Sequence, residues 1–209
     1  MGHRYRGFFG SGNTGRERQI TMDFINNVLG LPPISLYPLI WLLPVAFVIH
    51  DGEEILCTKK WLRSKGADLR IPAAQRKLLS EEHVTFQLTV AVTLMALAIL
   101  ILTYNAAEHF AVSGELLPLY AGIVAVMLLD GVKHVGLSVL VRSYTPGVIT
   151  ALLVEIPYAA FALSRFFTEG HLEGYRLLSG MALGLPLTLL MVWGGLELGK
   201  LVRQKYIHT

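Results

Sequence analysis

Long apolar runs, bounded by polar or charged residues, recur along the chain from residue 34 onward. A helix needs about 20 mostly apolar residues to cross the ~30 Å hydrocarbon core of a bilayer. Several segments have that length, so the pattern predicts about five transmembrane helices. The predicted spans are residues 34–56, 84–104, 117–141, 146–167 and 176–202.

These runs predict helices rather than the strands of a barrel. Backbone groups in lipid must be hydrogen-bonded within the protein, which leaves only helices and closed barrels. A barrel strand alternates polar and apolar residues, and the runs show no such alternation. We therefore predict an all-α fold, a polytopic helical membrane bundle, formed by a single transmembrane domain at residues 22–209. Residues 1–21 are a polar tail to which we assign no function.

Composition supports a membrane protein and excludes several other classes. Of 209 residues, 53% are hydrophobic and 16% are charged, against roughly 25% charged in soluble domains. The single cysteine, Cys57, excludes an internal disulfide and any CxxC metal or redox motif. The net charge of +3 is small and localised, so we expect membrane lipids as partners and no nucleic acid.

The distribution of Lys and Arg predicts the orientation in the membrane. Seven basic residues lie between the first two predicted spans, and none lies between the second and third. The carboxy-terminal flank adds Lys200, Arg203 and Lys205. Because short cytoplasmic loops are enriched in Lys and Arg, we expect an integral membrane protein whose carboxy terminus is cytoplasmic.

Ionisable residues interrupt four of the apolar spans. A charge at the centre of a bilayer costs about 2.5–3.5 kcal/mol on insertion scales, so such residues need partners and indicate a site. Within the first span, His50, Glu53 and Glu54 have the i, i+3 and i+4 spacing of one helix side. The other candidates are His83 at the start of the second span, Asp130 and His134 in the third, and Glu155 in the fourth.

The depths of these residues coincide. At 1.5 Å per helical residue, His134 lies roughly 12 Å and Glu155 roughly 13 Å from the basic cytoplasmic edge, and His50 lies at a similar depth. Independent surface charges have no reason to share one depth. The sequence therefore predicts a layer of imidazole and carboxylate groups in the cytoplasmic half of the membrane.

Imidazoles together with carboxylates are typical ligands of zinc and iron, and helical bundles hold one or two such ions in their cores. We expect one or two ions of zinc or iron at this layer. A carboxylate that does not bind metal would act as general base, with Glu53, Glu54 and Glu155 as candidates. A proton relay or ligand pocket without metal, and purely structural hydrogen bonds, remain alternatives. The predicted ligands are His50, Glu53, Glu54, His83, Asp130, His134 and Glu155.

The segment His50-Asp51-Gly52-Glu53-Glu54 resembles the motif of the HXXEE family of small bacterial membrane proteins. The segment Tyr144–Thr150 is similar to that family's aromatic-x-Pro-Gly turn, which leads into a helix. The similarity extends from about Pro44 to Phe166. It implies a multi-span helical fold in a bacterial cytoplasmic membrane and a polar site that uses the histidine and the two glutamates of the motif. It implies no particular reaction.

These observations favour a metal-dependent membrane enzyme, either a hydrolase or an oxidase or hydroxylase, that acts on a lipid or another apolar substrate. A cation or proton carrier or channel that uses the same residues is the alternative, and a non-catalytic scaffold is a third possibility. Pro44 and Pro157 are each expected to free a backbone carbonyl. The glycines of the fifth span predict close helix packing, with homo-oligomerisation as one outcome.

Overall fold

The computed structural model describes residues 35–65, 84–110 and 114–206, and this part of the chain is helical without any strand. The predicted all-α fold is therefore confirmed. The five helices of the described residues are α1 (Leu36–Lys65), α2 (Val84–Phe110), α3 (Leu117–Leu140), α4 (Val148–Thr168) and α5 (Gly174–Tyr206). Helix α4 contains a π-helical turn at Ala151–Glu155.

Four of these helices, α2 to α5, are long and apolar enough to cross a membrane. Helix α1 does not meet that criterion, because its carboxy-terminal half carries the acidic motif and then a basic segment. Its role as a fifth span stays a prediction. Residues 57–65, beyond the predicted first span, continue α1. The polar tail and His83 lie outside the described residues.

Helix α5 packs against α3 near its start and against α2 near its end. A Cβ atom on Gly180 would overlap the carbonyl of Pro118, and one on Gly195 would lie 2.6 Å from the Cα of Ala91. Only glycine permits such close backbone approach. The predicted close packing thus occurs within the chain, and homo-oligomerisation stays a prediction. Further along α5, Gly184 lies against Ile123 and Gly199 against Gln87, so α5 is parallel to α3 and antiparallel to α2.

Pro44 removes one backbone hydrogen bond from α1, and tyrosines from α3 and α4 replace it. Pro44 has no N–H group, so the carbonyl of Ile40 has no helical donor. The buried Tyr120 hydroxyl donates to that carbonyl at 2.9 Å, and the Tyr158 hydroxyl lies 2.8 Å from the Tyr120 hydroxyl. The carbonyl that Pro44 was expected to free is therefore satisfied by Tyr120, and α1 is tied to the core.

The π-helical turn of α4 ends two residues before Pro157, which cannot donate a backbone hydrogen bond. Single π-helical turns of this kind occur frequently at functional sites. The turn ends at Glu155, whose side chain is fully buried against α3. Helix α3 carries Gly131 at this point, and a Cβ there would lie 2.9 Å from Glu155 Oε2. Because Gly131 has no side chain, α3 leaves space for the carboxyl group of Glu155.

Candidate metal centre

Two histidines and an aspartate from α1 and α3 form a compact group near the cytoplasmic ends predicted for these helices. His50, Asp130 and His134 each offer one ligand atom, and these atoms lie within 4.8 Å of one another. The two imidazole rings meet edge to face with their centroids 4.9 Å apart. Both histidines are buried, whereas Asp130 is partly exposed. This arrangement could hold a metal ion.

Two further carboxylates border the group, one on each histidine. Asp130 Oδ2 lies 3.0 Å from His134 Nε2 and 3.6 Å from His50 Nε2. Glu54 Oε1 lies 3.2 Å from His134 Nε2, and Glu155 Oε2 lies 3.3 Å from His50 Nε2. Each imidazole Nε2 atom is therefore close to two carboxylate oxygens, supplied by three different helices.

The distances from Asp130 Oδ2 to the two imidazole Nε2 atoms are close to those expected between ligands of one ion. Ligand atoms 2.0–2.1 Å from a tetrahedral zinc are about 3.3 Å from one another. The Nε2 atoms of His50 and His134 and the Oε2 atom of Glu155 are buried, and their contacts with the neighbouring imidazole or carboxylate groups do not have hydrogen-bond geometry. The residues present thus fit a metal ion.

The orientation of His50 is set by a threonine and a glutamate. Thr150 donates to Glu53 Oε2 through its hydroxyl at 2.7 Å and through its backbone N–H at 2.8 Å. Because the hydroxyl proton is used there, Thr150 Oγ1 accepts from His50 Nδ1 at 3.1 Å. This network assigns the imidazole proton to Nδ1 and leaves the Nε2 lone pair free, as in metal-binding histidines.

The other oxygen of Glu53 is held by the turn between α3 and α4. The Tyr144 hydroxyl donates to Glu53 Oε1 at 2.7 Å, and the Trp61 indole donates to the Tyr144 carbonyl at 2.9 Å. Partial burial, with the nearby Cys57 and Glu53 side chains, raises the pKa of the Tyr144 hydroxyl above its ordinary value. Tyr144 therefore remains a donor at physiological pH.

The turn also brings a glycine against both imidazoles. Gly147 has a φ of +86°, and a Cβ there would lie 2.9 Å from His134 Nδ1 and 3.0 Å from His50 Cε1. L-residues rarely adopt this left-handed backbone conformation. Both the conformation and the space therefore require glycine at this position.

Lys133 neutralises part of the acidic charge at the group. Its ammonium contacts Asp130 Oδ1, which is the oxygen that does not face the histidines. Lys133 is 60% exposed at its side chain, so it lies at the edge of the group. Asp130 thus uses one oxygen for Lys133 and presents the other to the imidazoles.

A cavity of about 270 Å³ extends from this group into the apolar part of the bundle. It lies between α2, α3 and α5. Its polar end contains His50, Asp51, Glu54, Asp130, Lys133 and Glu155. Almost all of the remaining lining is apolar, for example Met95, Ile123 and Met191. The candidate metal centre thus lies at one end of an otherwise apolar cavity.

A family model described as "Protein of unknown function with HXXEE motif" matches residues 41–162. The chain belongs to the HXXEE family. The match includes every described residue of the candidate metal centre and ends within α4, so that α5 lies outside it. No curated protein and no solved structure matches the chain.

Most of the residues predicted for the site are brought together. His50, Glu54, Asp130, His134 and Glu155 surround one point, as the predicted layer requires. Glu53 is separate from them, because both of its oxygens accept hydrogen bonds from Thr150 and Tyr144. His83 lies outside the described residues, so its place in the set stays a prediction.

Sequence reasoning missed Thr150, the shape requirement at Gly147, and Asp51. Thr150 and Gly147 both belong to the segment Tyr144–Thr150, for which the sequence indicates a turn that leads into a helix. Asp51 lies beside His50 in the HXXEE motif and lines the cavity. The motif segments themselves were therefore the available signal for all three residues.

Proposed function

We propose that this member of the HXXEE family is a metal-dependent membrane enzyme that acts on a lipid or another apolar substrate. The observation that supports this most strongly is the meeting of two buried imidazole Nε2 atoms, from His50 and His134, at Asp130 Oδ2, which lies 3.0–3.6 Å from each. One metal ion at this point would bind all three atoms.

His50, Asp130 and His134 are the proposed ligands, with zinc or iron as the ion. Catalytic zinc sites combine three protein ligands with one open position, and bound zinc supplies a Lewis acid that lowers the pKa of water to about 7. Glu54 or Glu155 would hold the proton taken from that water during hydrolysis. An iron ion would instead suit the oxidation of a C–H bond, so the identity of the element separates the two reactions.

The cavity favours an enzyme over a carrier. A cation or proton carrier requires polar groups along the whole path between the two membrane faces. Beyond the polar end, the described residues that line the cavity include no charged side chain. An apolar cavity that meets a polar reactive group is instead suited to a substrate with an apolar body.

We place the metal centre in the cytoplasmic half of a bacterial cytoplasmic membrane, with the carboxy terminus in the cytoplasm. Helix α1 contacts α3 at Ile40–Tyr120 and, further along both helices, at His50–Asp130, so α1 is parallel to α3 and therefore to α5. Both α1 and α5 end in basic segments, which contain Lys59 and Lys60 in α1 and Lys200 and Arg203 in α5. The basic ends therefore lie on one side of the bundle, which supports this orientation by the positive-inside rule.

Elemental analysis of purified protein without a histidine tag tests the proposal. We expect near-stoichiometric zinc or iron in the wild type and a loss of most of it in His50→Ala. His109→Ala is the matched control, since His109 is exposed in the last turn of α2, away from the cluster. A folded wild type that stays free of metal after zinc and iron are supplied would refute the proposal.

A further inference from the structure

The cavity beyond the candidate metal centre has the shape of a channel for one extended chain. On α2, it is lined from Leu88 to Leu102 by residues spaced three or four apart, which form a single helix face. On α3, a second such stripe runs from Leu119 to Lys133. Each stripe covers about 21 Å at 1.5 Å per residue, so the cavity is lined along much of the bundle.

The α3 stripe changes from apolar to polar at one end. From Leu119 to Met127 its lining residues are apolar, and from Asp130 onward they are charged. The distance from Leu119 to Asp130 is about 16 Å along the helix. One leaflet of the ~30 Å hydrocarbon core is about 15 Å deep. The apolar part therefore matches the length of one lipid acyl chain that lies beside the helices.

The volume admits one chain and excludes a bulkier body. An engineered apolar cavity of about 150 Å³ holds one six-carbon benzene ring. By that measure, a cavity of 270 Å³ holds about eleven carbon atoms. That is most of one unbranched chain, and it is too little for the two chains of a phospholipid or for a sterol ring system.

The polar end is lined mainly by carboxyl groups. Asp51, Glu54, Asp130 and Glu155 line it, and Lys133 is the one basic side chain among the described lining residues besides the histidine His50. A polar head group can form hydrogen bonds with these groups, whereas the apolar lining beyond them offers it almost no partner. We therefore expect a polar head at this end and an apolar chain beyond it.

We infer that the cavity binds a single unbranched alkyl chain with a polar head, the head lying at His50 and His134 and the chain end near Leu102 and Leu119. This inference names the substrate class of the proposed enzyme and rests on that proposal for its chemistry. Binding of the alkyl chain can be measured without any reaction taking place. Helix α5, which lines the cavity through Leu187, Thr188 and Met191, would help to define the chain that fits.

A photoactivatable fatty alcohol tests this inference. Dodecanol with a diazirine near its chain end is added to the full chain in lipid nanodiscs, and the labelled residues are mapped by mass spectrometry. We expect labelling near Leu102 and Leu119, which excess unlabelled dodecanol suppresses and excess cholesterol does not. Labelling confined to lipid-facing residues such as Leu189 would overturn the inference.

A matched pair of variants on one turn of α2 makes the test specific. Ala98 lines the cavity, whereas Leu97 is exposed on the outer surface. We expect Ala98→Phe to reduce the specific labelling about tenfold, which corresponds to ~1.4 kcal/mol, and Leu97→Phe to leave it unchanged. Val126→Phe, from the α3 wall, replaces Ala98→Phe if that variant does not fold. Equal labelling in the cavity variant and the wild type would refute chain binding.

Metal content is measured on the same samples, so the two proposals fail separately. If the protein contains no metal but still gives the expected labelling, the chain site is supported and the metal-dependent enzyme is refuted. If the protein contains metal but gives no specific labelling, the metal centre is supported and the chain site is refuted.

Discussion

The imidazole of His50 and the hydroxyl of Thr150 lie 3.1 Å apart, measured from Nδ1 to Oγ1, and this contact joins α1 to the first turn of α4. The contact fixes both the ring orientation of His50 and the position of its proton. Outer hydrogen bonds of this kind are typical of metal-binding histidines. Thr150, in the first turn of α4, therefore orients His50, which is one of the proposed metal ligands.

Replacing Thr150 tests this connection. Thr150→Val keeps the shape of the side chain but removes the acceptor of the His50 Nδ1–H group and one donor to Glu53. We expect metal affinity to fall by about 10–100-fold, the typical loss for such outer partners. Competition with a chromophoric chelator measures the affinity. Thr150→Ser keeps the hydroxyl and should retain the affinity, and equal losses in both variants would contradict the account.

Gly147 should not tolerate even one added methyl group. Gly147→Ala places a Cβ on both imidazoles and strains a φ of +86°, whereas Gly170, at φ +76°, has open space around it. The backbone cost of about 1–2 kcal/mol applies to both positions. We expect both Ala variants to unfold more easily, but only Gly147→Ala to lose metal. Denaturation and metal content measure the two effects, and metal retained in Gly147→Ala would contradict the account.

The two acidic residues on His50 should behave differently. Asp130 lies within the ligand group, whereas Glu155 borders it. We therefore expect Asp130→Asn to lose most of the metal and Glu155→Gln to keep most of it. Both variants should be inactive in an assay with the substrate. The metal content of the two purified variants distinguishes these roles, and the reverse order would show that Glu155 is the ligand.

The Tyr120 hydroxyl should stabilise the fold without affecting metal binding. Tyr120→Phe leaves the Ile40 carbonyl without a donor, and such an unsatisfied buried group costs about 1–3 kcal/mol. Pro44→Ala restores a helical N–H to that carbonyl. The free energy of unfolding lost by Tyr120→Phe should therefore be smaller in the Pro44→Ala background. Denaturation of the four proteins in a double-mutant cycle measures this coupling, and additive losses would contradict it.

The helices and the convergence of polar residues from several helices could be predicted from the sequence, because the length needed to cross a membrane and the helical rise are fixed quantities. The separate roles of Glu53 and Glu54 could not. Successive helical residues are about 100° apart, so the two glutamates lie on opposite flanks of His50. Which flank faces the cluster depends on Thr150 and Tyr144, which lie far away in the sequence.

The cavity was also beyond prediction from the sequence alone. Its walls depend on where α5 lies, and that position is set by close approaches at Gly180 and Gly195 to residues of α3 and α2. The glycines indicated close packing but did not identify their partners. The π-helical turn that positions Glu155 is likewise a tertiary feature, since the presence of Pro157 predicts a distortion without its direction.

The central claim is that His50 and His134 bind one metal ion together. X-ray absorption at the edge of the bound element, on protein without a histidine tag, tests this claim most directly. The account predicts two imidazole rings per ion, with metal–nitrogen distances of about 2.0–2.1 Å for zinc, and one ring after His134→Ala. A shell made only of oxygen atoms, or an imidazole signal unchanged in His134→Ala, would contradict it.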